Sequence, residues 1–185
     1  MEFLRLADDF DFYLEVERDN IPYTRMVSRV GRNPNLTSSS APEDLWNGST
    51  IYSGFPVGPP EQLEFFSDSA SDTGILTYEY LATSSSTVWQ TATVTLQGLT
   101  PVYGVSAYRA LPGRYSSGSP TTFNLGTITR RHRTTTANVF FRLPVGRSRT
   151  FVAAYTVPAN AEAYIVQIEG SVNSTSNVNI EAAVW

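Results

Sequence analysis

The sequence predicts an all-β fold, an antiparallel β-sandwich or jelly roll carrying an extended N-terminal arm. Three observations predict it. Beyond residue 61, short runs rich in β-branched and aromatic residues alternate with clusters of turn residues. In the clearest run, Val88, Ala92, Val94 and Leu96 stand on one side and Thr91, Thr93 and Thr95 on the other, the period-two pattern of a strand with one buried face. Before residue 62, by contrast, Pro22, Pro34, Pro42, Pro56, Pro59 and Pro60 punctuate a stretch without periodicity. Such a stretch is too long for a loop inside a compact domain and reads as an arm that wraps a surface.

A chain of 185 residues suits one domain with a sizeable core. The division expected is residues 1–61 as the arm, with one short strand, and 62–185 as the sandwich. In the arm, Phe10, Phe12, Leu14 and Val16 alternate with Asp11, Tyr13, Glu15 and Glu17, which predicts the short strand, ended by Arg18-Asp19-Asn20. So many aromatics among acids imply docking on a surface, because leaving a large apolar side chain exposed forgoes about 1.5–3 kcal/mol. Trp46, Ile51, Tyr52 and Phe55 are the expected anchors of the proline-rich part, entering pockets on a neighbouring subunit. Pro42-Glu43-Asp44 reads as the acidic first turn of a short helix.

The strands expected are 63–66, 76–81, 88–96, 102–108, 121–128, 138–143, 150–157, 162–169 and 178–185, with long loops at 67–74, 84–87, 112–120 and 171–177. The last alternating run, Val178, Ile180, Ala182 and Val184, either closes the sheet or leads into further chain. No amphipathic helix and no internal repeat is visible.

Only 16% of the residues are charged, against roughly 25% in a typical soluble domain, and all 13 basic residues are arginines. A low-charge surface with planar, multidentate cations suits lateral contact between proteins. The net charge of −4 argues against direct binding of nucleic acid, which needs a basic field to neutralise phosphates. With no cysteine there is neither a disulfide framework nor thiol chemistry. No apolar run long enough for a membrane span and no secretion leader is seen.

Chemistry has few candidates. His132 is the only histidine, and it sits in Arg130-Arg131-His132-Arg133, where neighbouring guanidiniums oppose a further positive charge, an awkward place for a general base. The run reads as a basic turn between strands, complementary to the acidic arm of another subunit. Nucleophile-elbow, P-loop and dinucleotide motifs are missing. Asp68 with Asp72, and Glu43 with Asp44, are the carboxylate pairs that a glycan-cleaving enzyme or a Ca²⁺ site would draw on, but turn capping explains them more simply. Trp46, Trp89 and Trp185 with several tyrosines offer a sugar-stacking alternative to their use in core and interface. No catalytic residue, metal or cofactor is expected.

Several segments carry a family resemblance: Gly31-Arg32-Asn33-Pro34-Asn35, then Pro42-Glu43-Asp44-Leu45-Trp46-Asn47-Gly48, the Ser-rich 67–74 loop, Gln97-Gly98-Leu99, Asn124-Leu125-Gly126-Thr127-Ile128 and Tyr155-Thr156-Val157-Pro158-Ala159-Asn160. In this order, over roughly 27–170, they resemble virion structural proteins of tailed bacteriophages, in which a G-x-N-like turn precedes a Pro-Glu-Asp-x-Trp segment. The resemblance implies a non-enzymatic virion component made in the host cytoplasm. The expected role is a capsid decoration or cement protein, homo-oligomeric and bound to the major capsid protein or other virion proteins. The alternative is a tail or head-fibre adaptor that binds host glycans. The expected contact residues are Phe10, Phe12, Glu43, Asp44, Trp46, Tyr52, Phe55, Arg130, Arg131 and Arg133.

Overall fold

The computed structural model describes residues 14–18, 20–33, 44–48, 51–55, 58–116, 123–165 and 167–170. Within them run seven strands: β1 (Glu61–Ser67), β2 (Ile75–Leu81), β3 (Gln90–Thr95), β4 (Val102–Ala107), β5 (Arg109–Ser116), β6 (Ile128–His132) and β7 (Val139–Leu143). They form two antiparallel sheets, β4-β1-β6-β7 and β3-β2-β5. The fold is the all-β, two-sheet arrangement that the alternating pattern predicts.

Alternation explains which face each strand buries. Leu63 and Phe65 of β1, Leu76 and Tyr78 of β2 and Ile128 of β6 point into one core, whereas Gln62, Ile75 and Thr77 face out. Phe65 and Tyr78 meet across the sheets with ring centroids 4.9 Å apart. Strand β7 departs from simple alternation because its pairing with β6 slips between Arg130 and Arg131. That bulge opposes Arg130 to Phe141 and Arg131 to Val139, leaving Phe140 as the extra residue, so Phe140 and Phe141 are both fully buried.

Three expectations need correction. Strand β5 occupies Arg109–Ser116, largely where turn composition predicts a loop at 112–120. Its Pro112-Gly113 pair is tolerated because β5 is the outer strand of its sheet, where a missing N–H removes no inner ladder bond. Among the described residues, the runs 123–127, 150–157 and 162–169 form no strand, so the strand expected at 121–128 starts instead at Ile128 as β6; within 150–157 only Val152 makes an isolated bridge, to Trp46. The alternation at 10–16 does not give a strand where it is described. Leu14–Glu17 make a helical turn, in which Glu15 accepts from Arg18 (3.1 Å) and Asn20 (2.6 Å), local bonds that an extended chain would not permit. Phe10 and Phe12 lie outside the described residues, as do Glu43 and the run 178–185.

Candidate interaction surface

Five of the six segments singled out in the sequence meet in two places, and both are structural. In the first, Asp72 is buried and accepts from Ser67 Oγ at 2.6 Å, Leu125 N at 2.8 Å and Gly126 N at 2.9 Å. Gly98 joins it through N–H to Asp72 O (2.9 Å) and accepts from Ser67 N (3.0 Å). Gly98 has φ of 61° and lies so close to Ala70 that an added Cβ would collide with its backbone, so glycine is required twice over. Asp68 accepts from Thr127 N at 2.5 Å. Asn124, equally buried, donates to Gly126 O, Leu143 O and Pro144 O and accepts from Arg147 N. A Ser-rich loop, a Gln-Gly-Leu turn and an Asn-Leu-Gly-Thr segment are thus tied into one knot. Asp68 and Asp72 serve as turn caps there, each spent on backbone N–H groups rather than held ready for a glycosidic bond or a cation.

The second meeting point explains Gly31 and Trp46. Ala153 N donates to Leu45 O at 3.1 Å, and Gly31 fits against both so closely that a Cβ would overlap them. Trp46 is only 3% exposed. Its ring meets Tyr52 edge-on at 5.3 Å, and Tyr52 meets Phe55 likewise at 5.2 Å. The expectation that Trp46 and Tyr52 anchor in a neighbouring subunit is therefore corrected: their pocket is in their own domain, built largely by residues more than eighty positions downstream. This part of the arm also covers the free edge of β7. Tyr52 OH donates to Phe140 O (2.9 Å), Ser53 Oγ accepts from Val139 N (3.0 Å), and Asn47 Nδ2 donates to Arg142 O (3.4 Å). Side chains thus satisfy ladder groups that a bare edge would offer to another chain. Burial raises the Tyr52 hydroxyl well above an ordinary tyrosine. Asp44 is half of an internal clasp, accepting from Tyr52 N at 2.6 Å. Phe55 is more open and lies 5.9 Å from the Arg109 guanidinium.

The basic run is not a turn, because it lies in β6, where period two divides it. Arg131 points outward, pairs with Glu64 at 2.6 Å and covers the Phe66 ring at 4.8 Å. Arg133, just past the strand, stacks on Tyr103 at 4.3 Å and donates to Gln62 Oε1 at 2.9 Å. Arg130 and His132 point inward. Arg130 has no exposed surface and no carboxylate within 4.0 Å among the described residues. Its guanidinium lies 4.4 Å from the Phe141 ring, 5.3 Å from Tyr78 and 5.6 Å from Phe140, with one hydrogen bond, to Leu111 O at 2.5 Å. Loss of water lowers its pKa to about 9. His132 holds Ala107 O at one nitrogen and Asn138 Nδ2 at the other, each 3.3 Å away. A carbonyl must receive a proton and an amide N–H₂ must give one, so the ring is the neutral Nε2–H tautomer. Burial lowers its pKa accordingly.

No group of three or more His, Asp or Glu side chains suited to a metal gathers among the described residues. Among the described residues, Trp46 and Trp89 form no shared platform. Trp46 is in the core, Trp89 donates to Tyr155 OH at 3.2 Å beneath the 155–160 segment, and Trp185 lies outside the described residues.

What is left uncovered is a different set of residues. Tyr164, Ile165 and Ile168 are 82%, 63% and 57% exposed on a segment that joins no ladder among the described residues, and Tyr23 and Ile51 are similarly open. Beside Asn47 and Phe151, Arg32, Arg147 and Arg149 rim two adjoining hollows of about 210 and 250 Å³. The sequence signals Arg147 and Arg149 as cations but not as neighbours of Arg32, because that contact depends on how the arm crosses the 149–153 segment. In comparison with known proteins, the chain matches no family model, no curated protein and no solved structure.

Proposed function

We propose that this chain is a structural subunit of a tailed-phage virion that works by assembly, as a decoration or cement protein on the capsid. The observation that carries the reading is the segment 161–170. Its composition is that of a strand, yet within one chain it pairs with nothing among the described residues and turns Tyr164, Ile165 and Ile168 to solvent. Exposed large apolar side chains cost about 1.5–3 kcal/mol each relative to burial, and a backbone that finds no ladder partner among the described residues is a candidate for strand addition. A neighbouring protein that accepts this segment supplies both. Many such contacts on one lattice make the total hard to reverse, although each interface is modest.

The testing experiment is the copy number in purified virions, measured by quantitative mass spectrometry against the major capsid protein. Hundreds of copies per particle are expected. A dozen or fewer would move the protein to the tail or a vertex, with glycan binding as its task, and absence from the particle would overturn the reading.

A further inference from the structure

Charge is segregated along this chain. No Asp or Glu stands between Glu79 and Glu162, a stretch that holds most of the arginines, while Glu2, Asp8, Asp9, Asp11, Glu15, Glu17 and Asp19 crowd the first twenty residues. The described carboxylates from Asp44 to Glu79 are already engaged. Asp44 is bound by Tyr52 N, Glu61 by Thr135, Glu64 by Arg131, Asp68 by Thr127, Asp72 by the Gly126 knot and Glu79 by Arg25 and Arg29. Arg32, Arg147 and Arg149 have no carboxylate within 4.0 Å among the described residues. They converge on the two hollows that share Arg147 and Phe151. A second observation points the same way. Arg149 bridges directly to Arg114 on the outer edge of β5, a like-charged cross-strand pair that is unfavourable until an anion lies over it. The lining is also apolar, with Phe123 and Val145 more than half exposed beside Phe151 and Pro144. The occupant that fits is an acidic peptide with aromatic side chains at alternate positions.

We propose that this groove receives the N-terminal segment Asp8-Asp9-Phe10-Asp11-Phe12 of a second copy of this chain, its carboxylates on the arginines and its phenylalanines on the apolar lining. The segment has the required alternation, and its acids are the concentrated group that the domain leaves unused. A neighbour's segment, rather than the chain's own, follows from the assembly reading on which this inference rests. Followed backward from Arg32, the chain leaves the groove: Arg29 lies 5.3 Å from the Tyr155 ring, and both Arg29 and Arg25 reach Glu79. Strand exchange through 161–170 and arm docking through this groove are separate contacts. The inference deepens the assembly reading above by naming one partner and one surface.

The test uses the purified full chain with a photo-crosslinking residue in place of Phe10 (Phe10→benzoylphenylalanine). Isotopically light and heavy protein are mixed at low ionic strength, irradiated and digested. Cross-links between residues 8–12 and residues 144–151 that join light to heavy molecules are expected. Arg147→Glu with Arg149→Glu should reduce their yield at least about tenfold, and Asp8→Arg with Asp11→Arg should restore it when the two variants are mixed. Circular dichroism and thermal melting verify that each variant is folded. Links confined to single molecules, links to another surface, or a yield unchanged by charge reversal would overturn the proposal. Because no virion is needed, a chain that cross-links in this way but is missing from particles refutes the virion role alone.

Discussion

Replacing Trp46 with alanine tests whether the arm is held by its own domain or by a neighbour. The ring is 3% exposed, meets Tyr52 edge-on, lies against Gly48 so closely that a Cβ there would overlap it, and is fixed by the backbone bridge to Val152. Truncating a buried Trp costs about 3–5 kcal/mol, from lost transfer free energy and the cavity left behind. Tyr52 loses its edge-on partner, which adds about 0.5–1.5 kcal/mol where the ring is not otherwise fixed. Its hydroxyl, bonded to Phe140 O, covers the β7 edge, so loosening the arm should also expose that edge. The assay is urea unfolding of the purified protein followed by tryptophan fluorescence and by far-UV circular dichroism, at concentrations low enough to suppress association. A loss of about 3–6 kcal/mol is expected, with faster amide exchange at Val139 and Phe140. A loss below about 1 kcal/mol would refute the reasoning, since it would mean that the Trp46 pocket contributes nothing to the isolated fold and belongs to an assembly.

The remaining predictions concern buried polar groups. Asp72→Ala strands the N–H groups of Leu125 and Gly126 and the Ser67 hydroxyl, and should cost about 2–5 kcal/mol in the same urea assay; a neutral effect would show that water replaces the carboxylate. Arg130→Met removes a buried cation whose pKa is lowered to about 9 and should leave the fold intact or stabilise it by about 1–4 kcal/mol, less the cost of leaving Leu111 O unbonded. Destabilisation beyond about 2 kcal/mol would mean that the aromatic cage and the Leu111 bond outweigh desolvation. For His132 the folded pKa lies below the unfolded value of 6.5, so the unfolded chain takes up the proton first on acidification. The stability contributed by the neutral ring is therefore full above pH 6.5 and falls as pH drops through 6.5 toward the folded pKa. His132→Gln should flatten that part of the pH–stability curve, and an unchanged slope between the two proteins would count against the tautomer assignment.

Arg130 and Arg131 show where sequence reading stops. Their adjacency reads as one basic patch, but a strand sends neighbours to opposite faces, so Arg131 finds Glu64 outside while Arg130 enters the core. Only the strand at 128–132 separates the two side chains, and the Arg-Arg-His composition hides that strand. Strand β5 was hidden similarly, since Pro-Gly ordinarily marks a turn and is acceptable only on an outer strand, a position set by the order β3-β2-β5. At 14–17, aromatic and acidic alternation suggested extension, and the local bonds of Glu15 gave a helical turn instead.

Local pattern determined the all-β class, five strands near their final places (β1, β2, β3, β4 and β7), and the inward face of each of the first two, because side-chain alternation follows from backbone geometry alone. Composition determined that this surface carries arginine and never lysine. Tertiary structure decided the rest. It brought the Ser-rich loop to Asn124–Thr127 around Asp72, turned Trp46 into its own domain's core, and gathered Arg32 with Arg147 and Arg149 at one groove. Those contacts join residues separated by about fifty to more than a hundred positions, and nothing in a local window records which distant segment will satisfy a buried carboxylate or leave a cation uncovered.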